Sequence, residues 1–146
     1  MKNTKEFLEK QGEACKEPYT AYWFAKENKD ADIGKCQEIA CKAFYSAFYF
    51  ARDVEGASIE KCQEAACKDP VYSCLFAENI VGANIEKCQE FACKDPECAY
   101  KFAKNIKGAN IEYCQKVLCK DLYWAAIFAK YIPSADQKKY LIYSLL

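Results

Sequence analysis

A chain of 146 residues is long enough to form a domain with its own core, and a composition of 52% hydrophobic and 15% aromatic residues excludes a disordered protein. Lysine plus arginine number 21, as do aspartate plus glutamate, so net charge draws the chain neither to nucleic acid nor to an anionic membrane. Histidine, the commonest general base and metal ligand, is absent.

One unit of 26 residues recurs along the chain. Four copies align without a gap from Ala31, Ala57, Ala83 and Ala109, and residues 5–30 fit the same register. We therefore predict a single domain, 1–146, that contains five units and a C-terminal cap. The units are 5–30, 31–56, 57–82, 83–108 and 109–134, and the cap is 135–146.

Each unit contains signals for two helices. The first helix is expected to start after a polar N-cap residue and to run to the lysine that follows its second cysteine. These N-cap residues are Asp32, Ser58, Asn84 and Asn110. Asp-Pro pairs, as at Asp69 and Pro70, predict the start of the second helix. Gly56, Gly82 and Gly108 are expected to close that helix as left-handed C-caps.

The predicted fold is therefore all-α, an α-solenoid of about five stacked hairpins plus a C-terminal capping helix. Strand signals are missing from the sequence, and one hairpin alone has too little partner surface to bury its apolar face. A phenylalanine is expected to anchor the second helix of every unit. This column contains Phe24, Phe50, Phe76, Phe102 and Phe128.

A column of glutamines lies on the apolar stripe of the first helices, where the side chains should be at least half buried. It contains Gln11, Gln37, Gln63, Gln89 and Gln115. A buried amide needs hydrogen-bond partners, so one interpretation is a ladder that bonds to the backbone of the adjacent hairpin. The other is a polar row along a groove that meets a ligand.

The eleven cysteines have no C-x-x-C spacing of the kind that zinc sites use. Two of them in one first helix lie five residues apart and cannot bind one metal ion together. Equivalent cysteines in neighbouring units should be separated by a helix-packing distance. We expect buried thiols and no metal or cofactor, with redox chemistry or an unusual metal site as alternatives.

An apolar strip follows the outward positions of the second helices. Its members are Tyr19, Trp23, Tyr45, Tyr49, Val71, Leu75 and Tyr123, with Glu97 and Lys101 interrupting it. Solvent-facing positions are normally polar, so the strip is either an exposed patch that binds a partner or an edge buried between neighbouring units.

The segment DPECAYKFAK, Asp95–Lys104, resembles the D-P-x-x-A-x-x-F-A-K core of short helical-hairpin repeats in uncharacterised bacterial and phage proteins. The resemblance covers nearly the whole chain. It implies an architecture and no catalytic residue or ligand.

These patterns favour a non-catalytic scaffold that binds a protein partner through the strip, with self-association also open. The alternatives are a phage-encoded, anti-CRISPR-like inhibitor that acts by steric occlusion and a thiol-based metal or redox protein. An enzyme is not expected, because no histidine is available to activate a cysteine nucleophile.

Nucleic acid is not an expected partner, because Arg52 is the only arginine and the lysines are interleaved with glutamates. The first ten residues lack the apolar stretch of a secretory signal, and no later run approaches transmembrane length. We therefore expect a cytoplasmic protein without a membrane partner.

Overall fold

The computed structural model describes residues 4–133 and 135, which form ten α-helices and no strand. The helices are α1 (Lys5–Ala14), α2 (Pro18–Glu27), α3 (Ile33–Ala40), α4 (Phe44–Asp53), α5 (Ile59–Ala66), α6 (Pro70–Asn79), α7 (Ile85–Ala92), α8 (Pro96–Asn105), α9 (Ile111–Leu118) and α10 (Leu122–Tyr131). The all-α repeat fold is thus confirmed. The predicted capping helix, 135–146, lies outside the described residues except for Ala135.

The predicted N-caps begin the first helices. The side chains of Asp32, Asn84 and Asn110 each accept a hydrogen bond, at 3.0 Å, from the backbone N–H three residues on. The Ser58 hydroxyl does the same at 3.5 Å. These helices end earlier than the sequence predicted. In α5, for example, Cys67 is already the C-cap and Lys68 lies in a turn, because the Asp69 N-cap must be free to start α6.

The three unit-closing glycines were predicted to be helix C-caps, and this was wrong. Helix α4 ends at Asp53, and its C-cap Val54 is extended. Gly56 follows two residues later with a φ of +83°. The Ala57 N–H donates to the Val54 carbonyl at 3.3 Å, which closes a β-turn with the glycine at its third position. Glycine is needed in that turn because its φ is positive.

Successive units pack in one repeated way. Each second helix lies against the first helix of the following unit, α2 on α3 and α4 on α5, and successive second helices also contact each other. The phenylalanine column fills the space between them: Phe50, Phe76, Phe102 and Phe128 are fully buried, and Phe24 is partly buried. Alanines with no exposed surface, such as Ala47 and Ala99, let the helices approach closely.

The glutamine column joins each unit to the next. Gln37 Nε2 donates to the Ser58 carbonyl at 2.8 Å, and the Ser58 N–H donates to Gln37 Oε1 at 3.1 Å. The same pair of bonds joins Gln63 to Asn84 and Gln89 to Asn110. Gln11 Oε1 accepts from the Asp32 N–H, and Gln115 is also buried. These contacts are those of the backbone ladder, the first of the two interpretations above.

Candidate functional site: an aromatic face on the second helices

The outward strip is exposed at its first-turn positions; one turn later it is exposed at Trp23 and half buried in the next two units. Tyr19 is 46% exposed, and Val71 is 54% exposed. Tyr45 and Trp23 are also exposed, whereas Tyr49 and Leu75 are half buried. The two interpretations of the strip therefore each describe part of it. The first-turn side chains and Trp23 face solvent, whereas Tyr49 and Leu75 pack against the hydrophobic core.

Ring contacts connect the strip residues of the first two units. The Tyr19 ring lies 6.1 Å from that of Trp23 within α2 and 6.4 Å from that of Tyr45 in α4. One turn further along, Tyr22 of α2 lies 5.8 Å from Tyr49 of α4. Aromatic pairs at such separations attract each other beyond the area that they bury. The rings therefore form a continuous surface across the junction of the two units.

Phe44 belongs to this surface, and the sequence reasoning missed it. It is 41% exposed, and its ring lies 5.8 Å from that of Tyr45 and 5.1 Å from that of Tyr72 in the third unit. Phe44 occupies the first helical position, where three other units have proline. That departure from the repeat was the signal that could have identified it, because proline suits this position and phenylalanine does not stabilise a helix start.

We call the exposed and half-exposed rings of α2 and α4 the aromatic face. Its members are Tyr19, Trp23, Phe44, Tyr45 and Tyr49, with Tyr22, Phe48 and Tyr72 packed behind them.

Charged side chains border one edge of the aromatic face. Lys26 Nζ lies 4.6 Å from the centre of the Trp23 ring, and the Arg52 guanidinium lies 4.8 Å from that of Tyr49. Cations at this distance from a ring are held by its negative face. Asp53 joins the two, because it accepts two bonds from Arg52 at 2.6 and 2.9 Å and lies 3.4 Å from Lys26 Nζ.

The same carboxylate also accepts a hydrogen bond from the Tyr22 hydroxyl at 2.6 Å. The bonds from Arg52, and then those from Tyr22 and Lys26, hold the pKa of Asp53 well below its usual range. Burial, and then donation to Asp53, raises the pKa of Tyr22. Tyr22 therefore stays a neutral donor and Asp53 an anionic acceptor near neutral pH, which ties α2 to the end of α4.

The remaining strip residues lie apart from the aromatic face. Val71 and Leu75 line a shallow groove between α6 and α8, where Glu97 and Lys101 form an ion pair at 2.6 Å. Tyr123 is exposed, and its ring contacts Trp124, which in turn contacts Tyr100. The structure thus brings together four of the seven predicted strip residues, namely Tyr19, Trp23, Tyr45 and Tyr49.

Comparisons of the chain with protein-family models, with curated proteins and with solved structures find no match. Within the described residues, no group of three or more acidic, cysteine or histidine side chains is arranged to hold a metal ion. None of the ten described helices combines the length and the apolar character that a membrane crossing needs.

Proposed function

We propose that this protein is a non-catalytic helical-repeat scaffold that binds a protein partner through the aromatic face. One observation carries the proposal: Tyr19, Trp23, Phe44 and Tyr45 form a connected set of exposed rings across two units. Contiguous exposed apolar surface is typical of interaction sites on folded proteins. Tyrosine and tryptophan are also the residues that most often dominate binding energy at interfaces.

The rings of the aromatic face are held in place before a partner arrives. Tyr19 packs against Trp23 and Tyr45, and Lys26 lies over Trp23. A partner would therefore order few side chains on binding, which lowers the entropic cost of forming the complex. Aromatic residues that are already packed favour a rigid anchor surface over a loop that folds around its target.

The aromatic face and its charged edge together resemble a protein–protein interface. Lys26, Arg52 and Asp53 lie beside the rings and are partly exposed. Protein interfaces commonly have an apolar centre with a polar rim that fixes orientation and registration. An inhibitor that sterically blocks the active or binding surface of another protein would use the same apolar centre and polar rim. The proposal therefore includes an inhibitor of this kind.

The scaffold is proposed as non-catalytic because the chain has no histidine to activate a thiol. Most of its thiols are also buried, and similar cysteines recur in successive units.

The test uses affinity capture of the full chain from cells of its native host. We expect a partner at a fixed stoichiometry with the wild-type chain and its loss with Trp23→Ala and Tyr45→Ala. Tyr123→Ala is the matched control, because it removes an exposed tyrosine that lies outside the aromatic face.

Titration of the purified partner should then show at least a tenfold loss of affinity for each variant of the face, about 1.4 kcal/mol or more. Thermal unfolding of each variant confirms that it is folded. Unchanged affinity for both Trp23→Ala and Tyr45→Ala would contradict the proposal. Sedimentation of the wild-type chain alone identifies the case in which the partner is a second copy.

A further inference from the structure

Cysteines from neighbouring units lie in contact in pairs. The two members of a pair occupy different positions in their units, so aligning the units does not reveal the pairs. The second cysteine of one unit lies beside the first cysteine of the next, 21 residues further along. The four Sγ–Sγ distances are 3.6 Å for Cys15–Cys36, 3.9 Å for Cys41–Cys62, 3.6 Å for Cys67–Cys88 and 3.5 Å for Cys93–Cys114. In each pair, one cysteine is the C-cap of a first helix, and the other lies within the first helix of the following unit.

We propose that these pairs are thiol-oxidation sites, and that Cys41–Cys62 is oxidised first, by a small-molecule disulfide, to a disulfide that joins the second unit to the third. All eleven cysteines are free thiols in the structure. The two sulfurs of the pair must move from 3.9 Å to about 2.05 Å to bond, while the Gln37 bonds to Ser58 hold the facing backbones together.

Accessibility selects Cys41. It is half buried and lies in the groove between α3 and α5, whereas Cys15, the more exposed member of the first pair, is only 9% exposed, and Cys36 and Cys62 are fully buried. The members of the third and fourth pairs are at most 3% exposed. A small disulfide can therefore reach the Cys41 sulfur, and the groove brings it there without unfolding the stack.

The surroundings of Cys41 also favour the thiolate form that disulfide exchange requires, whereas Cys41 and burial raise the pKa of Cys62. Gln37 Nε2 donates to the Cys62 sulfur at 3.0 Å. The Cys62 thiol, and to a smaller extent Gln37 and Lys61, lowers the pKa of Cys41.

The reaction balances in two exchange steps. The Cys41 thiolate attacks one sulfur of the small disulfide, which releases one small thiolate and leaves a mixed disulfide on Cys41. Cys62 then loses its proton, and its sulfur attacks the Cys41 sulfur and expels the second small thiolate. Two protein thiols are oxidised, the small disulfide is reduced to two thiols, and the pair is restored by an excess of small thiol.

The test equilibrates the reduced, folded chain with oxidised and reduced glutathione, blocks free thiols at acid pH and maps the cross-linked peptides by mass spectrometry. We expect a Cys41–Cys62 cross-link to form first and dithiothreitol to reverse it. Because the bond closes a loop of the unfolded chain, we also expect the oxidised form to have a Tm about 10 °C higher.

Two variants make the result specific. Cys41→Ser changes a half-buried thiol and should abolish the cross-link and the rise in Tm. Cys74→Ala is the matched control, because its sulfur lies 3.4 Å from the Cys98 carbonyl and belongs to none of the four pairs. It should leave both unchanged. Thiols that stay free, a mixed disulfide that persists on Cys41, or cross-links between other cysteines would overturn the proposal.

Discussion

Gln63 holds the backbone of Asn84 with both ends of its side-chain amide. Its Nε2 group donates to the Asn84 carbonyl at 2.9 Å, and the Asn84 N–H donates to its Oε1 at 2.9 Å. Asn84 is the N-cap of α7, so the amide fixes where the first helix of the next unit begins. The same two bonds at Gln37 and Gln89 give neighbouring units one common register.

Replacing Gln63 with alanine should therefore weaken the stack. The change removes two hydrogen bonds and leaves polar backbone groups of Asn84 without their partner, at an expected cost of about 2 kcal/mol. Urea unfolding followed by circular dichroism measures this loss. Glu64→Ala, at the exposed neighbouring position, is the control and should change stability by less than about 0.5 kcal/mol. Equal stabilities for the two variants would contradict a structural role for the amide.

Phe76→Ala tests the core column. The ring is fully buried between helices, so its removal leaves a cavity and should cost about 4 kcal/mol. Val81→Ala is a suitable control, because Val81 is 95% exposed and its truncation should have almost no effect. Scanning calorimetry of both variants distinguishes them. A Phe76 variant as stable as the Val81 variant would show that the ring is not in the core.

The architecture could be predicted from the sequence because each unit repeats its own helix signals. The N-cap role of Asn84 follows from local side-chain chemistry, and the burial of Phe76 follows from helical periodicity. Both signals lie within a single unit. The contacts between units could not be read in this way. Cys41 meets Cys62 only because α3 and α5 are offset along the stack, and a comparison of equivalent positions misses that offset.

The candidate site was predictable only in part for the same reason. Tyr19 and Tyr45 belong to one periodic position, so the sequence identifies them. Phe44 replaces a proline and Tyr22 packs across the junction, and neither follows from the periodicity. The Arg52–Asp53 pair is sequence-adjacent, but its contacts with α2 depend on how α2 and α4 pack.

Two fully buried serines should respond differently to alanine. Among the described residues, the fully buried Ser46 hydroxyl has no hydrogen-bond partner, so Ser46→Ala should stabilise the fold by about 1 kcal/mol. Ser73 is equally buried, but its hydroxyl donates to the Cys67 and Asp69 carbonyls at 3.2 and 2.9 Å. Ser73→Ala should cost about 0.5 kcal/mol. Denaturant midpoints show whether each variant is more or less stable than the wild type. A destabilised Ser46→Ala variant would show that the Ser46 hydroxyl is hydrogen-bonded in the wild type.

Two glycines also form a matched pair. Gly56 has a φ of +83°, which a side chain disfavours, so Gly56→Ala should cost about 1 kcal/mol. Gly12 lies within α1 with open space where a Cβ would be, so Gly12→Ala should stabilise by about 0.5–1 kcal/mol. Thermal unfolding compares them. A stabilising Gly56→Ala change would show that the turn does not need its left-handed residue.

Asp53 should make stability depend on acid. Arg52, and then Tyr22 and Lys26, lower its pKa in the folded chain, whereas in the unfolded chain the value returns to about 3.9. The folded state then binds fewer protons, so this contribution is complete above the unfolded pKa and is lost as pH falls toward the folded value. We expect the stability difference between wild type and Asp53→Asn to be constant above about pH 5 and to shrink as the pH falls below it. A difference that stays constant as the pH falls from about 5 to about 2 would contradict the assigned contacts.

The register between successive units is the claim on which both the aromatic face and the thiol pairs depend. Nuclear Overhauser effects in an isotope-labelled chain test it most directly. We expect the Nε2 protons of Gln37, Gln63 and Gln89 to show cross-peaks to backbone protons of Ser58, Asn84 and Asn110, respectively. We also expect cross-peaks between the Tyr19 and Tyr45 rings. Glutamine amide protons that contact only their own helix, or only water, would contradict the stacked register.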